Sequence, residues 1–517
     1  MSDGDAQHRQ PPLRAKGLRA VGRSLAALLI AWATLAPLSA RAQVTGGDET
    51  GFATHERAPV SAHRHMVAAS DPLAAEAGLA ILRKGGNAID AAIATEMMLT
   101  LTEPESSGLG GSGFLVYFDK QSGRLFTYDG REAAPAADTE SMFLGADGKP
   151  IPFLQAAVGG KPVGVPGLLR VLELAHKAHG KLPWAELFAP AIATAEHGFP
   201  VSPRLHDSIA RDRFLPEMPA ARAYFYDRSG APLAVGATLR NPALAETLKA
   251  VVAKGADAFY EGPIAADIAR AVAAAPNPGP MTVEDLADYR AKERQPVCAL
   301  YRVWRVCGMG PPSSGAIGVI ATLKMLERFD LAKLPPLGLE SVHLLAEAGR
   351  LAHADRTHYV GDPDFASVPT AALIAPDYLA LRSRLIDPAR DIGTVRPGDP
   401  VHRRTDAGVP MGADTEAAGT SSMSIVDDEG NALAMTMSVG LAFGSRVFVR
   451  GFVLNDELTD FAFRPVVNGI KDVNRPQPGK RPRSSMSPTL VFDEGGRFHV
   501  SVGSVGGNNI VGYVSEA

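Results

Sequence analysis

The stretch that decides the fold is residues 419–438, Gly-Thr-Ser-Ser-Met-Ser-Ile-Val-Asp-Asp-Glu-Gly-Asn-Ala-Leu-Ala-Met-Thr-Met-Ser. Two apolar-rich runs flank an Asp-Glu-Gly-Asn turn, a pattern that predicts a β-hairpin. Thr420 heads the first strand. An N-terminal Thr supplies a hydroxyl nucleophile and, in its own free amine, a base, and Gly419 permits the strained turn that an internal attack needs. On these residues alone, a β-branched residue that starts a strand is the simpler interpretation.

The overall composition is that of a globular protein. The chain has 517 residues, of which 46% are hydrophobic and 21% charged, and it shows no depletion of apolar residues. The length alone suggests about three domains, although one layered unit of this size is an alternative. The net charge of −4 excludes the basic surface that nucleic-acid binding requires.

Residues 1–42 have the features of a signal peptide. Basic residues at 14–23 precede an apolar run at 25–38, and Ala40-Arg41-Ala42 forms a small-x-small cleavage site. An uncleaved anchor is the alternative, but the run is short for a membrane span. The sequence therefore predicts a mature chain that starts at Gln43 and is periplasmic or secreted, with no stable membrane span.

The two cysteines, Cys298 and Cys307, lie on two short predicted strands that turn near Arg302. This arrangement places the two sulfurs opposite each other. In an oxidising compartment it predicts a cross-strand disulfide. Two buried thiols are the alternative.

Two motifs suggest sites that their context argues against. Residues 108–113, Gly-Leu-Gly-Gly-Ser-Gly, match the dinucleotide pattern, but a helix precedes them and a strand follows, which is the reverse of the required order. Close backbone packing under an active site is the better interpretation. His353, Asp355 and His358 share a helix, but their spacing matches no known ligand pair, so no metal site is predicted.

Four further segments frame the hairpin. Residues 385–418 are charged and rich in Gly and Pro, which predicts an exposed linker before the junction. Residues 451–461 are predicted to form a strand with acidic residues at its end. Arg131 follows a strand, where it could form a forked pair with a carboxylate or a surface ion pair. Gly506 and Gly507 follow another strand, and paired N–H groups in such a turn can hold an oxyanion.

Several motifs occur in a fixed order along residues 66–517. They are Leu-Arg-Lys-Gly-Gly-Asn-Ala-Ile-Asp-Ala-Ala at 82–92, the glycine stretch at 108–113, Gly-Arg-Glu-Ala-Ala-Pro at 130–135, Pro-Pro-Ser-Ser-Gly at 311–315, Ala-Asp-Arg at 354–356, Gly-Asp-Pro-Asp-Phe at 361–365, Gly-Thr at 419–420, Arg-Ser-Ser-Met-Ser-Pro at 483–488 and Gly-Gly at 506–507. Together they resemble the gamma-glutamyltransferase (gamma-glutamyltranspeptidase) family of N-terminal-nucleophile hydrolases.

The resemblance implies an α+β fold, a four-layer αββα sandwich. It also implies a precursor that cuts itself between Gly419 and Thr420 into a large subunit, residues 43–419, and a small subunit, residues 420–517, which together form one heterodimeric unit. The implied substrates are glutathione and related γ-glutamyl compounds, with water, amino acids or peptides as acceptors. The family pattern implies no cofactor and no metal.

Carried over by position, the resemblance assigns roles to nine residues. Thr420 would be the nucleophile, Ser438 a second hydroxyl that hydrogen-bonds it, and the N–H groups of Gly506 and Gly507 an oxyanion hole. The α-carboxylate and α-ammonium groups of the substrate would be held by the remaining residues: Arg131, Ser484 and Ser485 for the carboxylate, and Glu457 and Asp460 for the ammonium.

The chain departs from the family pattern at three places. Gly440 stands where many members have an Asn, and the loop between Phe461 and Lys480 is shorter than the lid of some members. The chain stops at Ala517, where the family usually continues with a helix and final strands, so a truncated C-terminal end is expected. These departures keep two alternatives open, a cephalosporin or glutaryl acylase of the same fold and a catalytically impaired periplasmic binding relative.

Overall fold

The computed structural model describes residues 59–407 and 419–517, so the predicted signal peptide and the residues just before Gly419 lie outside the described part. Both described ranges belong to one folded unit. The described strands, in chain order, are β1 Met66–Ala69, β2 Ser112–Asp119, β3 Arg124–Asp129, β4 Phe199–Pro200, β5 Thr238–Leu239, β6 Lys292–Arg294, β7 Val297–Tyr301, β8 Trp304–Gly308, β9 Thr420–Val426, β10 Ala432–Ser438, β11 Phe448–Val449, β12 Phe452–Val453, β13 Val466–Val467, β14 Ile470–Lys471, β15 Thr489–Phe492 and β16 Phe498–Val502.

The helices have the start and stop signals that the sequence contains. Asp71 caps the first helix by accepting hydrogen bonds from two backbone N–H groups, Pro72 is its first residue, and Gly85 follows its end with a φ of +92°. The described helices are α1 Pro72–Arg83, α2 Ala88–Thr102, α3 Phe153–Ala157, α4 Leu168–His179, α5 Trp184–His197, α6 Pro203–Arg211, α7 Pro219–Phe225, α8 Pro242–Lys254, α9 Asp257–Tyr260, α10 Gly262–Ala274, α11 Val283–Asp288, α12 Gly315–Leu326, α13 Leu339–Tyr359, α14 Thr370–Leu373, α15 Pro376–Ser383 and α16 Ile510–Glu516.

Two antiparallel sheets form the centre of the fold. The larger has six strands in the order β1-β9-β10-β2-β3-β6, and the smaller has four in the order β16-β15-β8-β7. The larger sheet therefore pairs strands that lie more than three hundred residues apart in the sequence, with β10 hydrogen-bonded to both β9 and β2.

The central strands β2 and β10 of the larger sheet bury both of their faces. Leu433 and Met435 of β10 pack with α1, α2 and α4, whereas the alternate residues Ala432 and Ala434 pack with the smaller sheet. The ring of Phe118 meets the ring of Phe492 between the sheets, with centroids 4.9 Å apart. Helix α12 covers the other side of the smaller sheet, and α13 packs against α12. The predicted four-layer αββα sandwich is therefore confirmed.

The hairpin predicted at residues 419–438 is also confirmed, as β9 and β10. Its turn is closed by Asp427, whose Oδ1 accepts hydrogen bonds from the backbone N–H groups of Glu429 and Asn431, at 3.0 Å each. Gly430 supplies the positive φ of +83° that the turn requires. Thr420 and Ser438 are the last register pair, at the open end of the hairpin.

Two predictions about the neighbouring segments are wrong. Residues 451–461 form a strand only at β12, and Glu457–Asp460 is a 3-10 turn, because the chain bends where the N–H of Asp456 donates to the Val439 carbonyl. The segment 385–407 is not wholly exposed: Gly398 is buried and its N–H donates to Asp355. The remainder of that predicted linker, residues 408–418, lies outside the described residues.

The two cysteines are register partners on β7 and β8, and a disulfide joins them with a Cα–Cα distance of 4.1 Å. Within the described residues, none of the helices combines the length and the apolar character needed to cross a bilayer.

Candidate active site

The Gly419–Thr420 peptide bond is buried at the open end of the hairpin. Thr420 is 3% exposed. The Ser438 hydroxyl donates to the Gly419 carbonyl at 2.8 Å and accepts a hydrogen bond from the Gly440 N–H at 2.9 Å. A Cβ on residue 419 would lie 2.2 Å from the Gly440 carbonyl oxygen, so only glycine fits there without a shift of the backbone. The carbonyl before Thr420 is thus fixed and polarised by a hydroxyl donor.

Three hydroxyl residues form a row across neighbouring strands, which we call the hydroxyl row. Thr420 of β9 is the register partner of Ser438 of β10, which is in turn the partner of Ser112 of β2. By strand alternation this row lies on the face that packs against the smaller sheet. Ser112 was not predicted as a site residue, because only the strand register places it beside Ser438.

The glycine stretch at 108–113 lies directly beneath this row. A Cβ on Gly110 would lie 2.0 Å from the Val453 carbonyl oxygen, and one on Gly111 would lie 2.1 Å from the Ser438 carbonyl oxygen. Side chains at either position would separate β10 and β12 from the loop. The interpretation of this stretch as close backbone packing is confirmed.

Arg131 is 1% exposed and pairs with both acidic residues that the sequence assigned to the substrate ammonium. Its Nη1 lies 2.5 Å from Glu457 Oε2, and its Nη2 donates to Asp460 Oδ2. The guanidinium also donates to the backbone carbonyls of Pro482 and Arg483, at 3.2 Å each. The predicted cationic and anionic groups are therefore adjacent, and we call Arg131, Glu457 and Asp460 the ion clamp.

The charges around the ion clamp are unevenly distributed. Burial would raise the pKa of Glu457, but the charge of Arg131 and a hydrogen bond from the Ser112 hydroxyl hold this pKa below its usual value. Burial and the charge of Glu457 raise the pKa of the neighbouring Glu132 well above its usual value. Arg131 Nη1 also lies 3.4 Å from Glu132 Oε2, so this arginine faces three carboxyl groups, an arrangement that favours a ligand bringing an additional positive charge.

The two serines assigned to the substrate carboxylate lie in the same buried loop. The Ser484 hydroxyl accepts a hydrogen bond from the Met486 N–H at 3.1 Å, and its carbonyl accepts one from the Ser314 N–H at 2.7 Å. The Ser485 hydroxyl accepts a hydrogen bond from Arg356 at 2.8 Å. Because Arg131 donates to the Arg483 carbonyl, this loop borders the ion clamp.

The glycine pair follows β16 in the smaller sheet. Gly506 and Gly507 have φ values of +126° and +53°, which favour glycine at both positions. Asn508, the next residue, accepts a hydrogen bond from the Ser485 hydroxyl at 3.4 Å. A Cβ on Gly503 would lie 2.1 Å from the hydroxyl oxygen of Ser422, which is on the same face of β9 as Thr420. The turn therefore starts next to the strand that carries Thr420.

A loop not assigned to the site by the sequence also borders the ion clamp. Asn474, in the loop that the sequence predicts to be short, donates to the Asp460 carbonyl at 2.7 Å and accepts from the Arg483 N–H at 2.8 Å. Lys480 donates to the carbonyls of Val473 and Arg475, and burial lowers its pKa to about 8. Through Asn474, this loop is thus hydrogen-bonded both to Asp460 of the ion clamp and to Arg483, whose carbonyl accepts from Arg131.

Among residues 59–407 and 419–517, no group of three His, Cys, Asp or Glu side chains is arranged to hold a metal ion. Asp355, which the sequence placed near two histidines, instead pairs with Arg382 at 3.0 Å and accepts a hydrogen bond from the Tyr378 hydroxyl at 2.7 Å.

The sequence profile of the gamma-glutamyltranspeptidase family matches residues 74–517, most of the chain. The chain belongs to the gamma-glutamyltranspeptidase family. The resemblance drawn from the motifs is therefore confirmed. The glutathione hydrolase proenzyme of Bacillus subtilis (strain 168) is 38% identical over 457 residues, which are 87% of this chain and 76% of that protein.

Two solved structures are similar to the chain. The gamma-glutamyltranspeptidase of Helicobacter pylori is 35% identical, with a TM-score of 0.63 over 66% of this chain and 97% of that one. The cephalosporin acylase of Bacillus halodurans is 29% identical, with a TM-score of 0.76 over 91% of this chain and 82% of that one. The fold is thus shared by members that are named for two different activities.

Proposed function

We propose that the chain cleaves its own Gly419–Thr420 bond and then uses Thr420 to hydrolyse or transfer the γ-glutamyl group of glutathione and related compounds. The γ-glutamyl hydrolase or transferase activity follows from family membership. The observation that carries the assignment of residues is the buried Gly419 carbonyl, held by Ser438 immediately before Thr420.

Self-cleavage begins with attack by the Thr420 hydroxyl on the Gly419 carbonyl carbon. The negative charge that develops on the carbonyl oxygen is stabilised by the Ser438 hydroxyl, already 2.8 Å away. Collapse breaks the C–N bond, transfers the hydroxyl proton to the departing nitrogen, and leaves the acyl group on the Thr420 oxygen and the Thr420 amine free. Water then hydrolyses this ester, and the hydroxyl and the amine are left together on one residue.

The ion clamp selects the amino-acid end of the donor. The α-carboxylate of a γ-glutamyl group pairs with Arg131 and with the Ser484–Ser485 loop, while the α-ammonium pairs with Glu457 and Asp460. A zwitterion exchanges partners with the existing ion pairs, so each buried charge is still paired after binding. This exchange fits a cluster in which Arg131 pairs with the carboxylates of Glu457 and Asp460.

Acyl transfer then proceeds through a covalent intermediate. The Thr420 amine takes the hydroxyl proton as the oxygen attacks the γ-amide carbonyl, and the N–H groups of Gly506 and Gly507 hold the resulting oxyanion. Donors of this kind contribute roughly 3 kcal/mol each to lowering the barrier. The protonated amine gives its proton to the leaving nitrogen, and water or an acceptor amine resolves the acyl-enzyme. None of these steps requires an organic cofactor or a metal.

Maturation and location follow the same proposal. Residues 43–419 become the large subunit and residues 420–517 the small subunit, and the six-stranded sheet holds them together because β9 and β10 pair with β1 and β2. Residues 1–42 direct the protein to the periplasm or the exterior and are then removed.

A glutaryl or cephalosporin acylase is the second candidate, favoured by the similarity to the acylase structure. A glutaryl group has no ammonium, so its binding would add a further carboxylate beside those of Glu457 and Asp460. Gly440 has no side-chain amide to compensate, and a larger residue does not fit there without a shift, since a Cβ would lie 1.8 Å from Asp456 Oδ1. The ion clamp therefore favours the γ-glutamyl substrate.

Parallel assays with a chromogenic γ-glutamyl anilide and the matching glutaryl anilide test the choice. The processed protein is expected to cleave the first and to show little activity toward the second. The Thr420→Ala variant is the control and is expected to cleave neither. Preferential cleavage of the glutaryl anilide would identify an acylase. No activity toward either substrate in correctly processed protein would favour the impaired binding relative.

A further inference from the structure

A second buried acidic cluster lies on the helix-facing side of the hairpin, away from the ion clamp. Glu96, Glu103 and Glu105 are each no more than 4% exposed. Arg204, near the start of α6, reaches two of them: its Nη1 lies 2.9 Å from Glu103 Oε1 and its Nε lies 3.5 Å from Glu105 Oε1. The proposed reaction uses none of these groups, so their burial requires a separate explanation.

This cluster contacts the residue that follows the nucleophile. The Ser421 hydroxyl is fully buried and donates to Glu103 Oε2 at 3.1 Å. Arg204 also donates to the Ser106 hydroxyl at 2.7 Å, and the Ser106 carbonyl accepts a hydrogen bond from the Val439 N–H at 3.1 Å. Arg204 is thus connected to β9 just after Thr420 and to the chain just after Ser438.

The electrostatics make Arg204 the counter-charge for Glu103. Burial raises the pKa of Glu103, and the charge of Arg204 opposes that effect. Burial and the charge of Glu103 raise the pKa of Glu96, and that of Glu105 to about 8. The hydrogen bond from Ser421 is charge-assisted as long as Glu103 is ionised, and charge-assisted hydrogen bonds are shorter and stronger than neutral ones.

Self-cleavage increases the importance of the contact between Ser421 and Glu103. Before cleavage, Thr420 is held on one side by its covalent bond to Gly419 and on the other by β9. After cleavage that bond is gone and Thr420 becomes the free end of the strand. Its position then depends on pairing with β10 and on the fixed position of Ser421.

We propose that Arg204, acting through Glu103 and Ser421, is a positioning residue that fixes Thr420 for acyl transfer after self-cleavage. The proposal rests on the proposed role of Thr420 as nucleophile. It does not give Arg204 a contact with the substrate, because the Arg204 contacts lie on the face of the sheet opposite the hydroxyl row.

The test compares Ser421→Ala, Arg204→Met, Arg204→Lys and the Ser421→Ala/Arg204→Met double variant. The kcat for a γ-glutamyl anilide is expected to fall about ten- to a hundred-fold in each of the first two, with KM within about two-fold of wild type, since a misplaced nucleophile slows chemistry without removing binding contacts. Arg204→Lys keeps the charge and is expected to recover part of the loss. The double variant is expected to be no slower than the worse single one, because both changes break one chain of contacts.

Arg350→Met is the matched control. Arg350 is also a partly exposed arginine paired with a buried glutamate, Glu347, but it lies on α13 in the opposite helical layer. This variant is expected to keep the wild-type kcat. Each protein is analysed by denaturing gel and by thermal unfolding, and kcat is calculated per mole of cleaved, folded protein.

The outcomes separate this proposal from the proposed function. If Ser421→Ala and Arg204→Met keep the wild-type kcat while Thr420→Ala is inactive, the positioning role is refuted and the nucleophile assignment stands. Losses that multiply in the double variant, or that appear in KM instead of kcat, also refute the positioning role. Activity in Thr420→Ala would refute the proposed function itself.

Discussion

Replacing Ser438 by alanine tests how the precursor cuts itself. The change removes the hydroxyl donor that lies 2.8 Å from the Gly419 carbonyl oxygen, which is the atom that becomes negatively charged during attack. A single buried donor to an oxyanion is worth about a hundred- to a thousand-fold in rate, or roughly 3 kcal/mol. We therefore expect cleavage of the Ser438→Ala precursor to be slower by at least about a hundred-fold.

The assay follows conversion of freshly purified precursor into two chains on a denaturing gel. Ser445→Ala is a close structural control. The Ser445 hydroxyl is also buried, donates to a backbone carbonyl at 2.9 Å and accepts a hydrogen bond from the N–H two residues later. Both variants are expected to lose a similar free energy of unfolding, about 1–3 kcal/mol.

Only the Ser438 variant is expected to cleave slowly, because only its hydroxyl contacts the carbonyl at the cleavage site. Ser438→Thr retains a hydroxyl and is expected to restore most of the rate. Equal cleavage rates for Ser438→Ala and Ser445→Ala would refute the reasoning.

Three further predictions concern the surroundings of the junction. Asp460→Asn leaves Arg131 with one fewer anion. The KM for a γ-glutamyl anilide is therefore expected to rise by ten-fold or more, while cleavage of the glutaryl anilide improves. An unchanged ratio of the two activities would contradict the ion-clamp assignment. Burial raises the pKa of Asp456 to about 7, so the folded chain keeps a proton that the unfolded chain loses near pH 4. The free energy of unfolding should therefore fall as pH rises from about 4 to 7, by up to about 1.4 kcal/mol per pH unit from this group, and urea titrations should show a shallower fall in Asp456→Asn. Gly111→Ala places a Cβ 2.1 Å from the Ser438 carbonyl oxygen. A loss of about 1–3 kcal/mol in the free energy of unfolding is therefore expected. An unchanged free energy of unfolding would show that the backbone shifts freely.

The parts of the fold that depend on local sequence were predictable. The Asp-Glu-Gly-Asn turn and its flanking strands predict the hairpin because the side chain of Asp427 closes the turn within a few residues. The first helix is likewise set by Asp71 before it, Pro72 at its first position and Gly85 after its end. The motifs then placed Thr420 on that hairpin.

The parts that depend on distant partners were not predictable. Ser112 donates to Glu457, 345 residues away, and Ser421 donates to Glu103, 318 residues away. Neither pair has a local pattern, because each exists only once the six-stranded sheet has formed from distant parts of the chain. The same holds for the turn at Glu457–Asp460. Its local sequence favours continuation of the strand, whereas hydrogen bonds to distant residues bend the chain there.

The direct test of the central claim is N-terminal sequencing of the purified, active protein. Two chains in equal amounts are expected, one of which starts at Thr420. A fully active protein that consists of one uncut chain, or of fragments with no N-terminus at Thr420, would contradict it.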